Sequence, residues 1–302
     1  LHTRDLRLIL TRKCNYNCYF CHKEWCDWKE PELLDPQDYF YLYDVVSSTT
    51  PLWGITVSWG EPLLRKNLDS LLKLLKEKKT SLTMVSNWYF IDKKIDTLKY
   101  LDKIIVSLHT VQQDLYSAIT GRDVSVQKIL DNIVLLKKTY PHLEIKINST
   151  LLKRYFEVPR YLEQLLDFIC EHDLTIKYLE LSPKTLPDFV TQEKLIPLLE
   201  KKWFVFTPGD WKDYNTYSLW WARVVFRKCA CDFVKDHWCT QEYCKKNNDL
   251  TLSPDGKISA CIQDTKKIDL YQDIKKRNDE NIVEKVLLLE DPSFKYTCCL
   301  KK

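Results

Sequence analysis

The residues with the clearest chemical potential lie in the stretch KCNYNCYFCHKEW, which holds three cysteines in a C-x3-C-x2-C spacing: Cys14, Cys18 and Cys21. Thiolates are soft ligands that bind zinc or iron–sulfur clusters, and a structural zinc site needs four protein ligands. His22 or Cys26 could complete such a zinc site. A loop that supplies only three thiolates instead suits a [4Fe–4S] cluster with one open iron, and the spacing favours this second interpretation.

The other cysteines point to a second metal centre. The chain has 12 cysteines: four lie between residues 14 and 26, one is Cys170, and seven lie between residues 229 and 299. The first ten residues, LHTRDLRLIL, lack the long apolar run and the small-residue cleavage site of a secretory signal peptide. Because cytoplasmic thiols stay reduced, we expect a cytoplasmic protein whose cysteines are metal ligands rather than disulfides.

Length and charge narrow the function classes. The chain of 302 residues is long enough for one large α/β domain with an appendage. Its 46 basic and 42 acidic residues give a net charge of +4 that is spread along the sequence. This distribution does not favour binding to nucleic acid or to a membrane surface. No window reaches the run of about 18 apolar residues that a membrane span needs.

Short β-rich runs alternate with amphipathic helical patterns up to about residue 200. The predicted strands are residues 6–11, 54–59, 81–87, 103–108, 143–149 and 175–181. The predicted helices lie near residues 36–48, 67–78, 92–99, 125–139, 158–172 and 191–201. Six β-α units in series predict an α/β fold whose parallel sheet is left open or curled into a partial (β/α)6 TIM-like barrel. With only 5 glycines in the chain, a glycine-rich phosphate loop is not expected.

The sequence changes character after the last predicted barrel element. Residues 203–248 are rich in Trp, Tyr and Cys and show little periodicity, whereas residues 250–262 predict two short strands around a Pro-Asp-Gly turn. A final amphipathic helix is predicted at about 279–290. We therefore expect a barrel, residues 1–202, and a small metal-binding extension, residues 203–302.

Polar residues end the predicted strands at the edge of the sheet that also carries the cysteine loop. They are Gly60, Glu61 and Pro62 after the second strand, Ser86 and Asn87 at the third, Ser107 in the fourth and Asn148 in the fifth. Taken singly they have ordinary alternatives, because Glu61 could cap the following helix and Asn148 could be a strand-end hydrogen bonder. Together with the C-x3-C-x2-C loop, these motifs resemble the radical SAM superfamily.

The resemblance implies a cluster and a cofactor. In this superfamily three cysteines hold a [4Fe–4S] cluster, and S-adenosylmethionine chelates the fourth iron. An electron from a donor such as flavodoxin or ferredoxin then cleaves S-adenosylmethionine to a 5′-deoxyadenosyl radical, which abstracts hydrogen from the substrate. By resemblance Cys14, Cys18 and Cys21 are the cluster ligands. Cys26 is either a bystander or a catalytic thiol within reach of the radical.

Other residues match the positions that hold S-adenosylmethionine in the superfamily. Phe20 occupies the aromatic position that packs near adenine, and Gly60 and Glu61 match the motif that receives the methionine ammonium. Trp59 replaces the first glycine of that motif. The other strand-end residues are expected to bind the methionine carboxylate and the ribose, or to complete the same site: Ser86, Asn87, Ser107 and Asn148.

The second group of cysteines resembles the auxiliary-cluster extensions called SPASM and twitch. Cys244, Gly256 and Cys261 match the hairpin pattern C-x(9–15)-G-x4-C of these extensions. The dense cysteine run of a full SPASM domain is absent from the sequence, so the resemblance implies one auxiliary [4Fe–4S] cluster of the twitch type. Its implied ligands are Cys239, Cys244 and Cys261, with a fourth from Cys298, Cys299 or Cys231. A structural zinc knuckle is the alternative.

Over nearly the whole chain the motifs resemble the MoaA family, the GTP 3′,8-cyclases of molybdenum-cofactor biosynthesis. The segments RDLRLILTRKCNYNC, GEPLLRKNL and VSLHTVQQDLYSAITGR carry this resemblance. It implies basic residues that face the substrate, here Arg7, Arg65, Lys146 and Lys177. The alternative for these four residues is an ordinary solvent-exposed cation.

Two departures from the cyclases argue against GTP as the substrate. The positions of two cyclase arginines are taken by Asp249 and Thr251, and the chain ends in CCLKK instead of a Gly-Gly tail. Replacing two cations would cost a phosphate site several charge-assisted hydrogen bonds of about 1.5–3 kcal/mol each. We therefore expect a radical SAM enzyme that acts on another small molecule, a sugar, a nucleoside or an amino acid, in a biosynthetic pathway.

Two other functions stay open. One is the modification of a ribosomal peptide, by epimerisation or by thioether or carbon–carbon crosslinking. It is less expected because the first strand starts at residue 6, without a preceding peptide-recognition domain. The other is a non-catalytic iron–sulfur or zinc protein, which Trp59 in place of glycine would support. The Trp/Tyr-rich stretch at residues 203–221 either lines the substrate mouth or packs between barrel and extension.

Overall fold

The centre of the molecule is an open β-sheet. The protein is described from a computed structural model, in residues 4–21, 31–181, 186–208, 214–227, 249–260, 266–289 and 291. Six parallel strands form the middle of the sheet in chain order: β1 (Arg4–Ile9), β2 (Leu52–Ser58), β3 (Ser81–Ser86), β4 (Lys103–Ser107), β5 (Glu144–Leu151) and β6 (Thr175–Glu180). These six strands lie within two residues of their predicted positions at every end.

Helices connect the strands and confirm the predicted α/β fold. The α-helices of the described residues are α1 (Pro36–Thr49), α2 (Leu68–Lys76), α3 (Gln113–Thr120), α4 (Val126–Thr139), α5 (Arg160–Glu171), α6 (Ile196–Lys201), α7 (Tyr271–Lys276) and α8 (Asp279–Leu288). The helix predicted near residues 92–99 is instead two 3₁₀ turns, Ile91–Lys93 and Ile95–Tyr100. None of the described helices combines the length and the apolar composition that crossing a membrane requires.

The central strands have two different faces. On one face alternate apolar residues are fully buried in a common core with the helices, as Leu6 and Leu8 in β1 and Ile55 and Val57 in β2 are. Because side chains alternate along a strand, the intervening residues share the opposite face. We call it the polar face, and its members include Asp5, Arg7, Thr56, Ser58, Lys103, Ser107, Lys146, Asn148 and Lys177.

The sheet continues beyond these six strands on both sides. On the β6 side it adds β9 (Ala222–Arg227), β8 (Tyr214–Leu219) and β7 (Val205–Thr207), and on the β1 side it adds β10 (Leu250–Leu252), β11 (Lys257–Ser259) and β12 (Ile268–Asp269). The inner strands β9 and β10 are parallel to their central neighbours, and the outer strands are antiparallel. Segments from both predicted parts of the chain therefore belong to one sheet.

Only one of these two additions matches the sequence-based expectation. β10 and β11 lie where two strands around the Pro-Asp-Gly turn are predicted. No strand is predicted between residues 203 and 248, although Ala222, Val224 and Phe226 are buried at alternate positions, which is the period of a strand. Aromatic residues on both sides of that short pattern conceal it in the sequence.

Three exposed tryptophans mark one corner of the sheet. Trp203, Trp220 and Trp221 have exposed fractions of 82%, 89% and 78%. Trp220 and Trp221 form the turn between β8 and β9, where Arg223 of β9 is opposite Thr175 at the start of β6. This turn therefore lies at the amino ends of the central strands, whereas the cysteine loop follows the carboxyl end of β1. All three side chains are therefore mostly exposed and lie away from that loop.

Candidate active site

The cysteine loop leaves the carboxyl end of β1 and is held by backbone hydrogen bonds to two neighbouring elements. The Asn17 and Tyr19 amides donate to carbonyls at the end of α3, at 2.8 and 3.2 Å. The Glu61 amide donates to the Lys13 carbonyl at 2.7 Å. These bonds fix the loop between the segment that follows β2 and the helix that follows β4, so the three cysteines face the edge of the sheet where strands end.

Cys14, Cys18 and Cys21 are partly buried free thiols. Burial raises the pKa of Cys18 to about 12, and the neighbouring Cys14 and Cys21 thiols add to this effect. Burial likewise raises the pKa of Cys14. Thiols that disfavour one another's ionisation lie close together, and bound iron would reverse the effect because its positive charge favours thiolates. The donor set therefore fits an iron–sulfur cluster.

The surroundings of Cys14 also suit a cluster. Its Sγ accepts hydrogen bonds from the Tyr16 amide at 3.5 Å and from Asn87 Nδ2 at 3.8 Å. Such bonds to thiolate sulfur tune and orient cluster ligands. Within the described ranges, no three His, Cys, Asp or Glu side chains converge tightly enough to hold a single metal ion. A cluster, whose cysteines attach to different irons, does not need that convergence.

Glu61 organises the floor of the site. Its side chain is fully buried and accepts hydrogen bonds from the Leu63 amide at 3.0 Å, from Ser86 Oγ at 2.9 Å and from the Asn87 amide at 2.8 Å. Burial raises the pKa of Glu61 to about 7, although these hydrogen bonds favour the ionised form. The carboxyl group thus ties the end of β3 to the segment after β2, and it also caps the 3₁₀ turn Pro62–Leu64.

The two residues before Glu61 have left-handed backbone conformations. Gly60 has φ +57°, and a Cβ there would lie 2.4 Å from the Thr11 carbonyl oxygen and 2.6 Å from that of Lys13. Only glycine fits such a position. Trp59 has φ 63°, which an L-residue adopts at a cost of about 1–2 kcal/mol. The replaced first glycine of the motif therefore keeps a glycine-like conformation, with a partly buried indole attached.

Asn87 joins the predicted cofactor residues to the cysteine loop. Its Nδ2 donates to Asn15 Oδ1 at 2.7 Å as well as to Cys14, and its Oδ1 accepts from the Tyr89 amide at 3.2 Å. The Ser86 hydroxyl bridges Glu61 and the Trp88 amide. The structure thus brings Ser86, Asn87, Glu61 and Cys14 into one hydrogen-bonded group.

The other two predicted polar residues meet on neighbouring strands. Ser107 of β4 is paired in register with Asn148 of β5, and Asn148 is paired with Lys177 of β6. All three belong to the polar face. The Asn148 Oδ1 atom is buried and has no hydrogen-bond partner in the part of the chain that the structure describes. A ligand that donates to it is a natural partner, because a buried carbonyl oxygen without one is unfavourable.

His109 is a further residue of the candidate site, and it is not among the residues predicted from the sequence. It lies two residues beyond Ser107, its ring packs against Phe20 in an edge-on arrangement with centroids 4.8 Å apart, and its side chain is 7% exposed. Its Nδ1 accepts a hydrogen bond from the Thr150 amide at 3.1 Å. The strand-end position that indicates Ser107 is the same signal that could have indicated His109.

The four predicted substrate-binding cations have different surroundings. Arg7 donates to Asp249 Oδ2 at 2.5 Å and to Ser58 Oγ at 3.0 Å. Lys146 pairs with Glu144 at 2.7 Å, near the amino end of β5. Lys177 lies on the polar face, where it also interacts with other residues of the protein.

Arg65 is committed to the fold. Its guanidinium is buried and donates to the Leu10 and Leu34 carbonyls, at 2.5 and 2.6 Å, and its Nε donates to Asn67 at 2.7 Å. With its nitrogens used in this way, Arg65 holds the segments around β1 and α1 together.

The C-terminal hairpin reaches the base of the cysteine loop. Arg12, two residues before Cys14, donates to Asp255 in the turn between β10 and β11 at 3.0 Å, and both side chains are almost fully buried. Asp255 also binds Lys257 at 2.7 Å. Some of the predicted site residues lie outside the described residues. They are the catalytic candidate Cys26 and the predicted ligands of the auxiliary cluster, Cys239, Cys244, Cys261 and Cys298.

Curated proteins that are similar over almost the full chain include GTP 3′,8-cyclases. A probable GTP 3′,8-cyclase of Pyrobaculum aerophilum is 25% identical over 303 residues, which cover 97% of this chain and 95% of that protein. The GTP 3′,8-cyclase of Aquifex aeolicus is 23% identical, and the aligned region covers 90% of this chain and 86% of that protein. The similarity therefore includes the C-terminal region as well as the barrel.

Solved structures show the same fold. SuiB of Streptococcus suis, bound to S-adenosylmethionine, superposes with a TM-score of 0.68 at 15% identity, over 97% of this chain and 64% of SuiB, less than two thirds of that chain. The protein anSMEcpe with bound AdoMet gives a TM-score of 0.57 at 14% identity, over 95% of this chain and 84% of that one. A sequence profile of the Radical SAM superfamily matches residues 8–169, more than half of the chain. With its three-cysteine loop at the carboxyl end of β1, this protein belongs to the radical SAM superfamily and is a radical SAM enzyme similar to the GTP 3′,8-cyclases.

Proposed function

We propose that the protein abstracts hydrogen from a small polar substrate without a polyphosphate group, such as a sugar, a nucleoside or an amino acid. The observation that carries this proposal is the ion pair between Arg7 and Asp249, whose Nη2 and Oδ2 atoms are 2.5 Å apart. In the cyclase-like interpretation Arg7 would face a triphosphate. Here an acidic residue, at the position of a cyclase arginine, neutralises its charge.

The surroundings of this ion pair add negative rather than positive charge. The Asp5 amide donates to Asp249 at 3.2 Å. Burial raises the pKa of Asp5, and the nearby charge of Asp249 raises it further. Thr251, the second replaced arginine, is fully buried and paired in register with Arg7. One guanidinium between two carboxyl groups is a poor receptor for phosphate, because the carboxylates repel an anion.

Two other cations of the polar face, Lys103 and Lys146, are similarly compensated. Glu144 binds Lys103 at 2.9 Å and Lys146 at 2.7 Å. Burial opposes the ionisation of Glu144, but the two lysines outweigh it and lower its pKa. A polar face with paired charges suits a neutral or zwitterionic substrate that offers hydroxyl, amide or amino groups. Lys177 is the residue that we propose to contact such a substrate, with Arg7 and Lys146 contributing through their ion pairs.

The proposed cofactor site uses the residues that surround the cysteine loop. When bound, the [4Fe–4S] cluster and S-adenosylmethionine supply a 5′-deoxyadenosyl radical for hydrogen abstraction. Cys14, Cys18 and Cys21 hold the cluster, and Asn87 and the Tyr16 amide support Cys14. For S-adenosylmethionine we propose Phe20, Gly60, Glu61, Ser86, Asn87, Ser107 and Asn148, and for a thiol within reach of the radical Cys26.

We also propose a second [4Fe–4S] cluster, held by Cys239, Cys244, Cys261 and Cys298. It rests on the cysteine pattern and on the hairpin β10–β11, whose turn supplies the required glycine: Gly256 has φ +85°, and a Cβ there would lie 2.9 Å from Tyr271. Iron and sulfide analysis tests it. About eight irons per chain supports two clusters, whereas about four irons with one zinc contradicts the proposal.

GTP binding tests the substrate class directly. Equilibrium dialysis of the reconstituted protein should give a Kd for GTP weaker than about 1 mM, and no cyclised product should form when reductant is added. The Asp249→Asn variant releases the Arg7 charge and should bind GTP about tenfold more tightly. The Thr251→Val variant is the matched control, because it keeps the volume and adds no charge. Micromolar binding and cyclisation of GTP by the unmodified protein would overturn the proposal.

A further inference from the structure

The imidazole of His109 lies at the carboxyl edge of the sheet, among residues of the candidate cofactor site. β4 ends at Ser107, and alternation along the strand returns His109 to the side of the sheet that Ser107 shares with Asn148. The ring contacts Phe20, the residue before Cys21, with the two ring planes at 76°. His109 thus joins the cysteine loop to the ends of β4 and β5.

One nitrogen of the ring is already fixed. Nδ1 accepts the Thr150 amide proton at 3.1 Å, so it carries a lone pair and the neutral ring carries its proton on Nε2. Burial lowers the pKa of His109 to about 4, and the ring is therefore neutral at physiological pH. Its Nε2–H points from the ring edge opposite Thr150.

The other nitrogen has no partner among the described residues. None of the hydrogen bonds between described residues involves Nε2, and this atom is not fully buried. It therefore reaches accessible space beside Phe20. The bond at Nδ1 fixes the orientation of the ring and so the direction of the Nε2–H group. Because this group has no acceptor among the described residues, it can donate a hydrogen bond to a ligand atom.

We propose that His109 donates its Nε2–H to an acceptor of the adenosine part of S-adenosylmethionine, a ring nitrogen or a ribose oxygen. The position of His109 selects the adenosine end, because Glu61 and Gly60, which match the methionine site, follow β2, two strands away. A neutral donor also matches neutral acceptors, whereas the methionine carboxylate is better bound by a charged group. This inference rests on the cofactor of the superfamily and not on the proposed substrate class.

Two substitutions separate this role from a structural one. His109→Asn places an amide oxygen where Nδ1 is and keeps the bond to the Thr150 amide, but it has no donor at the position of Nε2. His109→Gln places an amide nitrogen where Nε2 is and gives up the bond to Thr150. If His109 only held the end of β5, His109→Asn would be normal, whereas His109→Gln would lose both stability and binding of S-adenosylmethionine.

Binding of S-adenosylmethionine to the anaerobically reconstituted protein, without reductant, is the measurement. We expect the Kd of His109→Asn to be about tenfold weaker with the melting temperature nearly unchanged. For His109→Gln we expect a Kd within about threefold of the unmodified protein and a melting temperature lower by about 2–4 °C. Normal binding by His109→Asn, or equal losses in both variants, would overturn the proposal. If the unmodified protein bound no S-adenosylmethionine, the proposal would fail together with the cofactor assignment, whereas GTP binding would bear on the substrate class alone.

Discussion

At the scale of single residues, the backbone before Glu61 is the tightest part of the site. Gly60 approaches the carbonyls of Thr11 and Lys13, and both belong to the segment that leads into Cys14. A side chain at this position would push that segment away. Trp59, next to it, adopts a similar φ at some cost in backbone strain.

We expect Gly60→Ala to lower the free energy of unfolding by about 3 kcal/mol, because left-handed strain and a clash with backbone atoms act together. Trp59→Gly is the paired control and should lie within about 1 kcal/mol of the unmodified protein, since strain relief offsets the extra entropy of the unfolded chain. Urea unfolding followed by fluorescence measures both. A Gly60→Ala variant as stable as Trp59→Gly would show that the close approach is absent.

His109 gives a pH dependence whose sign is fixed by its lowered pKa. The folded value of about 4 lies below the ordinary 6.5, so the unfolded chain takes up the proton first as the pH falls. Stability is therefore lost between pH 6.5 and pH 4 and is fully present above 6.5. From pH 7.5 to pH 5.5 the unmodified protein should lose about 1 kcal/mol more than His109→Asn. Equal losses in urea unfolding would mean that the buried ring is not neutral.

At the scale of elements, the hairpin β10–β11 is coupled to the cysteine loop by a buried ion pair. The side chains of Arg12 and Asp255 are 3% and 6% exposed. The amides of Leu33 and Leu34 also donate to the Pro254 carbonyl in the same turn. The proposed cluster ligand Cys261 follows this hairpin in the sequence. The hairpin is thereby connected to the segment that carries Cys14.

Asp255→Ala should cost about 3–5 kcal/mol, because it leaves the buried Arg12 guanidinium without this carboxylate. The same variant should retain less iron after reconstitution, since Arg12 precedes Cys14 by two residues. Lys76→Ala is the matched control: its ion pair with Asp102 has exposed fractions of 40% and 44%, and its loss should cost less than about 1 kcal/mol. Similar stability and iron content in the two variants would contradict the coupling.

The sequence predicts the elements that obey a simple period. β1 to β6, α4 and α5 have long apolar repeats, and the hairpin has its Pro-Asp-Gly turn. α3 is only eight residues long, β7 is only three, and β8 carries tyrosines on both of its faces. In such segments neighbours in the sheet, rather than local pattern, decide the conformation.

At the scale of the whole molecule, the tryptophan corner and the cysteine loop lie at opposite ends of the central strands. The corner is exposed and lies at the other end of the strands from the described site residues. Replacing Trp203, Trp220 and Trp221 together by serine should therefore leave the Kd for S-adenosylmethionine within about twofold of the unmodified value. Phe20→Ala, on the cysteine loop, should weaken the same Kd about tenfold. A large loss in the tryptophan variant would contradict this separation of the two ends.

The candidate site was predictable where one residue type at one spacing carries the chemistry. The three cysteines and the strand-end residues Glu61, Asn87 and Asn148 belong to this class. Pairing across the sheet was not predictable in the same way, because neither the Arg7–Asp249 ion pair nor the Arg65 bonds to carbonyls follow from local sequence. The strand-end position of His109 is a signal in the sequence, but its contacts with Phe20 and Thr150, which are distant in the chain, are not.

The formation of 5′-deoxyadenosine tests the assignment most directly. The anaerobically reconstituted protein is mixed with dithionite and S-adenosylmethionine, and the nucleoside product is quantified beside a Cys14→Ala control. We predict 5′-deoxyadenosine at least about tenfold above that control, because the variant lacks one of three cluster ligands. Equal, background amounts from both proteins, with the unmodified protein containing its full iron, would contradict a radical SAM enzyme and leave a non-catalytic iron–sulfur protein.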